Sequence, residues 1–308
     1  MAGAPEPAVA GASAAAAPPR RLSAGRGDRL LPYAGFSPAA VLFGVFFLAP
    51  MALIVAYSFW EVVDYNIVHT WTLDNYRYFF STPTYVTTFL DTLWVTAVAT
   101  FLTLLAAFPL AYWLARYVRP AIRRPLLLLV ILPFWTSYLL RVTSWTTILG
   151  EKGVLNRFLE AIGVIHQPLS FLLYNRPAVI LVLIYLYFPF AALTLYATLE
   201  RFDWRQLSAA MDLGAPPGKA ITHVMLPQIR PGITTAVIFV FIPVLGEYLT
   251  PQLVGGTRGV MIGNLIVNFF QGAEYTRGAA VSLLIAALIV ILLIVFRKQL
   301  DVAGAYGR

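Results

Sequence analysis

The sequence predicts an all-α integral membrane protein with six transmembrane helices, and three observations carry that prediction. Six long apolar runs are separated by polar, Gly- and Pro-bearing segments. Of the 308 residues 59% are hydrophobic and only 12% charged, with a mean hydropathy of +0.75, whereas a soluble domain carries roughly 25% charged residues. Lys and Arg gather in alternate connecting segments. Lipid offers no partner to a backbone N–H or C=O, so a spanning chain must be helical or a closed barrel. These runs are too long and too uniformly apolar for barrel strands.

The chain opens with an Ala/Pro/Gly-rich stretch, residues 1–38, bearing Arg20, Arg21, Arg26 and Arg29 and no apolar block of signal-peptide length. Its composition predicts a disordered cytoplasmic tail. A six-span body is expected over 39–298, followed by a short cytoplasmic tail, 299–308. Within the body the spans are expected at about Ala39 to Trp60, Thr92 to Ala115, Pro125 to Leu149 with a bend or an early end, Pro177 to Leu199, Ile233 to Leu253 and Ala279 to Phe296. At about 1.5 Å per residue each crosses roughly 30 Å of hydrocarbon.

Six spans put the arginines of the first tail, Arg116, Arg119, Arg123 and Arg124, the group Arg201, Arg205, Lys219 and Arg230, and the C-terminal Arg297, Lys298 and Arg308 on one side. The positive-inside rule makes that side cytoplasmic, with both termini inside. The other side is richer in acids, among them Glu61, Asp64, Asp74, Asp91, Glu151, Glu160 and Glu274, though Arg77, Lys152, Arg157, Arg176, Arg258 and Arg277 lie there too. A net charge of +8 therefore reads as membrane orientation and not as a nucleic-acid surface.

One inner segment, about 204–231, has a design of its own. A short helix is expected from Trp204 to Leu213, a turn at Gly214 through Gly218, and a second short helix from Lys219 to Met225 that Leu226 and Pro227 close. Two small helices joined by a rigid elbow, exposed between membrane spans, make a docking surface.

The spacing within that segment resembles the coupling motif of binding-protein-dependent ABC importer permeases: EAA, three residues, G, nine residues, I, one residue, LP. Here Ala209, Ala210, Gly214, Leu226 and Pro227 keep the pattern, while Ser208 replaces Glu and Val224 replaces Ile. Asp212 offers a neighbouring charge in place of the lost carboxylate. The resemblance implies a type I ABC importer permease fold in the bacterial inner membrane, with a cytoplasmic coupling loop. It implies three partners besides the bilayer: a dimer of ATP-binding subunits, a second permease subunit, and an extracytoplasmic solute-binding protein.

Chemistry on this chain itself is not indicated. It has no phosphate-binding G-x-x-x-x-G-K-[ST] loop, so ATP and Mg are expected on the partner ATPase. There is no cysteine, and His69, His166 and His223 lack metal-ligand spacing. A membrane enzyme needs convergent polar groups at one depth, and the few ionisable residues in the runs lie near their ends. Catalytic, cofactor and metal residues are therefore none.

Two further stretches narrow the resemblance. Phe134 through Arg141, continuing to Trp145, Gly150, Gly153, Asn156 and Gly163, and Pro243 through Tyr248 with Thr250, Pro251, Gly255 and Gly256, are similar to the spermidine/putrescine permeases, and to the first of their two paired subunits. A heterodimeric permease for a polyamine follows as what the resemblance implies; an ABC permease for another small solute shares the framework.

Glu247 lies about fourteen residues, or roughly 21 Å, above the inner end of its span, at a depth where an acid is a functional candidate. Together with Asp91, Trp135, Tyr138, Arg141, Tyr185, Tyr187 and Tyr248 it forms a candidate substrate path. Carboxylates and aromatic faces attract cations. Two other readings of these residues stay open: an ion pair between Glu247 and Arg141, and an interfacial aromatic belt. An intramembrane acid also suits a self-sufficient proton-coupled secondary transporter, the competing class.

Overall fold

The computed structural model describes residues 38–63 and 66–300. The two tails expected at 1–38 and 299–308, and Asp64, lie almost wholly outside them. Contact density divides the chain into two units, Met1–Ala52 and Leu53–Arg308. The first described helix, α1 (Pro38–Phe59), is long and apolar enough to cross a membrane and carries a wide-turn segment at Gly44–Leu48.

After α1 comes a small hairpin that the hydropathy pattern does not announce, β1 (Glu61–Val63) against β2 (Asn66–Val68), with Glu61 opposite Val68. A short helix, α2 (Asp74–Ser81), follows. Asn75 fixes it to the end of α1 by donating from Nδ2 to the carbonyls of Ser58 (3.1 Å) and Trp60 (2.7 Å).

The second span, α3, runs from Pro83 to Arg116, well beyond the expected start at Thr92. Pro83 at its first position suits a helix start, because the missing N–H would have no partner there anyway. Ala99, Ala107 and Ala111 on α3 are fully buried. Small residues let membrane helices approach closely where no hydrophobic force drives them together. Their partner is α7 (Arg176–Glu200), whose Leu183, Leu186, Leu195 and Leu199 are buried. Asn175 caps α7 by accepting the Ala178 N–H at 2.8 Å.

The third apolar run is not a straight span. α4 (Pro120–Ile131) passes into a tight turn, Leu132–Trp135, and after a sharp change of direction α5 (Tyr138–Leu149) and α6 (Val154–Ala161) follow; the two halves are bent by 86°. Pro133 and the extended residue Thr136 explain the break. Five helices among the described residues are long and apolar enough to cross a membrane, and six if this bent pair counts as one span.

Beyond α7, α8 (Trp204–Asp212) forms as expected. The second small helix does not end at Pro227. One helix, α9, runs from Pro217 to Leu245. The turn Ile221–Met225 is widened, so that the Leu226 N–H bonds to Ile221 O, five residues back. That wider turn admits the proline ring and absorbs its missing donor, so the helix continues into the fifth span.

The fifth span also ends earlier than the expected Leu253, at Leu245. A wide turn at Pro251–Gly255, then α10 (Ile262–Gln271) and the last span α11 (Tyr275–Leu300), complete the chain. Gly232 on α9 faces Thr198 on α7 so closely that a Cβ there would lie 2.0 Å from Thr198 Oγ1. Here too a small residue sets the distance between two spans.

Candidate functional site

The segment 204–231 is held from three directions. Asp203 caps α8 by accepting the Arg205 N–H at 3.1 Å. Trp204 packs edge-on to Tyr112 (5.5 Å) and Phe202 (5.2 Å), and the Arg116 guanidinium lies over its ring at 5.1 Å. Gln228 on α9 donates from Nε2 to Gln206 Oε1 at 2.6 Å, which ties the two arms of the elbow together. The elbow itself turns at Gly214, with φ +89, a conformation that a residue with a Cβ adopts only under strain.

On this frame Ser208 is half-buried. Its hydroxyl donates to Trp204 O (3.3 Å) and accepts from Arg116 Nη2 (3.5 Å). Ala209 and Asp212 face outward, Ala210 packs against the core, Leu226 is half-buried and Pro227 exposed. Leu213, which the spacing argument passed over, stands at the tip of the elbow 90% exposed. A large apolar side chain presented on a rigid polar loop is what a docking partner covers.

At the opposite end of α9 the structure gathers a different group. Gly246 ends the helix, and Glu247 next to it is buried, 8% exposed. Its Oε2 accepts the hydroxyls of Tyr138 (2.5 Å) on α5 and Tyr187 (3.1 Å) on α7. Its Oε1 accepts the backbone N–H groups of Leu249 (3.1 Å) and Thr250 (3.3 Å). Thr250 Oγ1 also lies 2.9 Å from the Tyr138 hydroxyl. A carboxylate has about four lone-pair positions, so all of its acceptor capacity is used. By satisfying the amides of the following turn, Glu247 explains why the fifth span stops where it does.

The break is pinned from its far side as well. Asn264 donates from Nδ2 to Tyr248 O at 2.8 Å, and a Cβ on Gly263 would lie 2.6 Å from Glu247 O. Thr92 on α3 accepts the Ile262 N–H at 2.8 Å. Thr250, Asn264, Gly263 and Thr92 are absent from the candidates read in the sequence; the last three reach this break only in the folded chain.

None of the other candidates donates to Glu247. Arg141 is buried, with its guanidinium over the rings of Phe134 (4.5 Å) and Tyr138 (5.6 Å), and it makes no salt bridge with Glu247. Tyr185 meets Trp145 edge-on at 5.5 Å. Trp135 and Tyr248 are exposed, at 85% and 44%. Asp91 lies elsewhere, ion-paired with Arg176, whose Nε donates to Arg258 O at 2.9 Å. No group of acids and histidines among the described residues has the arrangement to hold a metal.

Known proteins place this architecture. Residues 107–301 match the family described as "Binding-protein-dependent transport system inner membrane component". The chain belongs to this family.

Among curated relatives, the permease is 35% identical to the spermidine/putrescine transport system permease protein PotB of Haemophilus influenzae over 255 residues, 82% of this chain and 88% of that protein. It is 34% identical to PotB of Escherichia coli, with 82% and 91% covered. It is 31% identical over 277 residues to the inner membrane ABC transporter permease protein YdcU of Escherichia coli, with 85% and 87% covered. Among solved structures, a chain of a bacterial alginate ABC transporter in complex with an alginate pentasaccharide-bound periplasmic protein superposes with a TM-score of 0.70. That pair is 19% identical, with 89% of the permease and 96% of that chain covered. A chain of the MetNI methionine ABC transporter gives a TM-score of 0.51 at 17% identity, with 70% and 94% covered. Both of these show the fold, that of type I ABC importer permeases.

Proposed function

We propose that this inner-membrane permease carries a polyamine, of the spermidine or putrescine type, into the cytoplasm as one half of a heterodimeric permease. A solute-binding protein delivers the cation outside, and an ATPase dimer, which binds the ATP and Mg, docks inside on the elbow of α8 and α9. Both termini then lie in the cytoplasm, as the placement of Lys and Arg favours.

The observation that carries the substrate reading is the likeness to PotB at 34–35% identity along four-fifths of the chain. The cluster at the break supports it. Glu247 is a buried carboxylate flanked by Tyr138 and Tyr187, a combination that attracts an ammonium group. Because its acceptor positions are filled in this state, an amine reaches Glu247 only when the tyrosine hydroxyls let go. Passage of the cation is thereby linked to movement of α5 and α7 relative to the end of α9.

Coupling to ATP runs through Leu213, Gly214 and the face of α8 that bears Ser208, Ala209 and Asp212. A rigid elbow transmits a push better than a flexible one, and the Gln206–Gln228 bond and the Trp204 packing supply that rigidity. The alternative of a proton-driven transporter that works alone predicts uptake without any ATPase. The test is to reconstitute the permease with its paired subunit, ATPase and binding protein and to follow ATP-dependent uptake of spermidine. Uptake without the ATPase would overturn the proposal, as would a binding protein that prefers an anion or a neutral sugar.

A further inference from the structure

Arg141 is 9% exposed, and its Nε has no hydrogen-bond partner. None of the salt bridges among the described residues includes it. A buried cation without an acceptor is costly, and stacking on Phe134 and Tyr138 offsets only part of its desolvation. The acid bonded to the Tyr138 hydroxyl is committed elsewhere, since Glu247 has four donors on its two oxygens.

The guanidinium borders a cavity of about 340 Å³ shared with Thr136, Ser144, Trp145 and Tyr185. Its hydroxyls are neutral and supply no counter-charge, and the bonds they make are to the backbone, Thr136 to Pro133 O (2.6 Å) and Ser144 to Leu140 O (2.7 Å). At the lip of the cavity Leu140 is 64% exposed, and Trp135 in the preceding turn is 85% exposed. This side of the chain therefore combines uncovered apolar surface with a cation that lacks its partner.

We propose that Arg141 receives a carboxylate from the second permease subunit, whose acidic side chain enters this cavity when the two subunits pair. The inference rests on the heterodimeric polyamine-permease reading. A polyamine carries only positive groups, so it cannot satisfy the guanidinium, and an uncompensated guanidinium beside the path would repel it. Charge complementarity assigns the acid to the protein surface across the pathway.

The experiment uses the assembled transporter carrying Arg141→Lys, which keeps the charge and supplies an amine. Treatment with a membrane-permeant carbodiimide joins an amine to a carboxylate that lies within ion-pairing distance. The expected product is a cross-link from position 141 to one Asp or Glu of the second permease chain, located by peptide mass spectrometry. Arg141→Glu is expected to lower recovery of the second chain in co-purification several-fold, with recovery regained when the cross-linked acid is replaced by Arg. If the second permease chain is present but position 141 links only within its own chain, or links to nothing, the inference fails and the permease reading stands. If no second permease chain accompanies the protein, both fail.

Discussion

The hydroxyl of Tyr138 lies 2.5 Å from the carboxylate of Glu247, a contact that joins the bend of the third apolar run to the end of the fifth span across 109 residues of sequence. Tyr187 reaches the same oxygen from the fourth span at 3.1 Å. Three separate segments thus meet on one acid at the point where α9 stops. A change in any of the three is felt at the other two.

Glu247→Gln preserves size but replaces an acceptor with an NH₂ that now faces donors. Hydrogen bonds to a charged group contribute about 1.5–3 kcal/mol each, so the break should loosen and the attraction for a cation should disappear. Spermidine uptake by the reconstituted transporter is expected to fall several-fold, with basal ATPase activity near normal. Unchanged uptake would remove Glu247 from the path.

Gly214→Val forces a β-branched residue into φ +89. The local strain is on the order of 1–3 kcal/mol, and the elbow relieves it by changing shape. The protein should still reach the membrane, whereas uptake and substrate-stimulated ATPase should drop together by about tenfold, the equivalent of 1.4 kcal/mol. Normal uptake by a well-expressed variant would remove the elbow from the coupling route.

Leu213→Asp tests the exposed tip directly. The side chain touches little of its own chain, being 90% exposed, so thermal stability of the permease in detergent should not change. Co-purification of the ATPase should be lost or strongly reduced, as expected when a central apolar anchor becomes charged. An intact complex would place the ATPase contact elsewhere.

Gly232→Val should act on packing alone. A Cβ at this position falls 2.0 Å from Thr198 Oγ1 and 2.6 Å from Thr198 Cβ, so α7 and α9 must separate. Overpacking of this kind costs about 1–3 kcal/mol, seen as a lower temperature of thermal aggregation. Thr198→Gly in the same protein should restore most of the loss, because it removes the atoms in collision.

Much of this architecture is legible in the residues, and the places where it is not share a cause. Apolar runs locate the spans because burial in lipid acts on local composition, and Gly214 announces a turn because only glycine takes its conformation freely. The end of the fifth span at Leu245 is another matter: it depends on Glu247 satisfying the amides of Leu249 and Thr250. The continuation of α9 through Pro227 depends on one widened turn. The amphipathic α10 follows a Gly-rich turn and is too short to register as a span. Pairings such as Asp91 with Arg176, Ser208 with Arg116 and Tyr187 with Glu247 join residues 60 to 92 positions apart. Spacing along the chain carries no signal for them.

ATP-driven uptake measured with the solutes in competition bears most directly on the central claim. Proteoliposomes holding the permease, its paired subunit and the ATPase, supplied with the binding protein, are given labelled spermidine and an excess of unlabelled spermidine, sulfate or a neutral sugar. The account predicts uptake that requires ATP inside the ATPase-facing compartment and is suppressed by unlabelled spermidine alone. Uptake that proceeds without ATP, or that sulfate or sugar suppresses while spermidine does not, would contradict it.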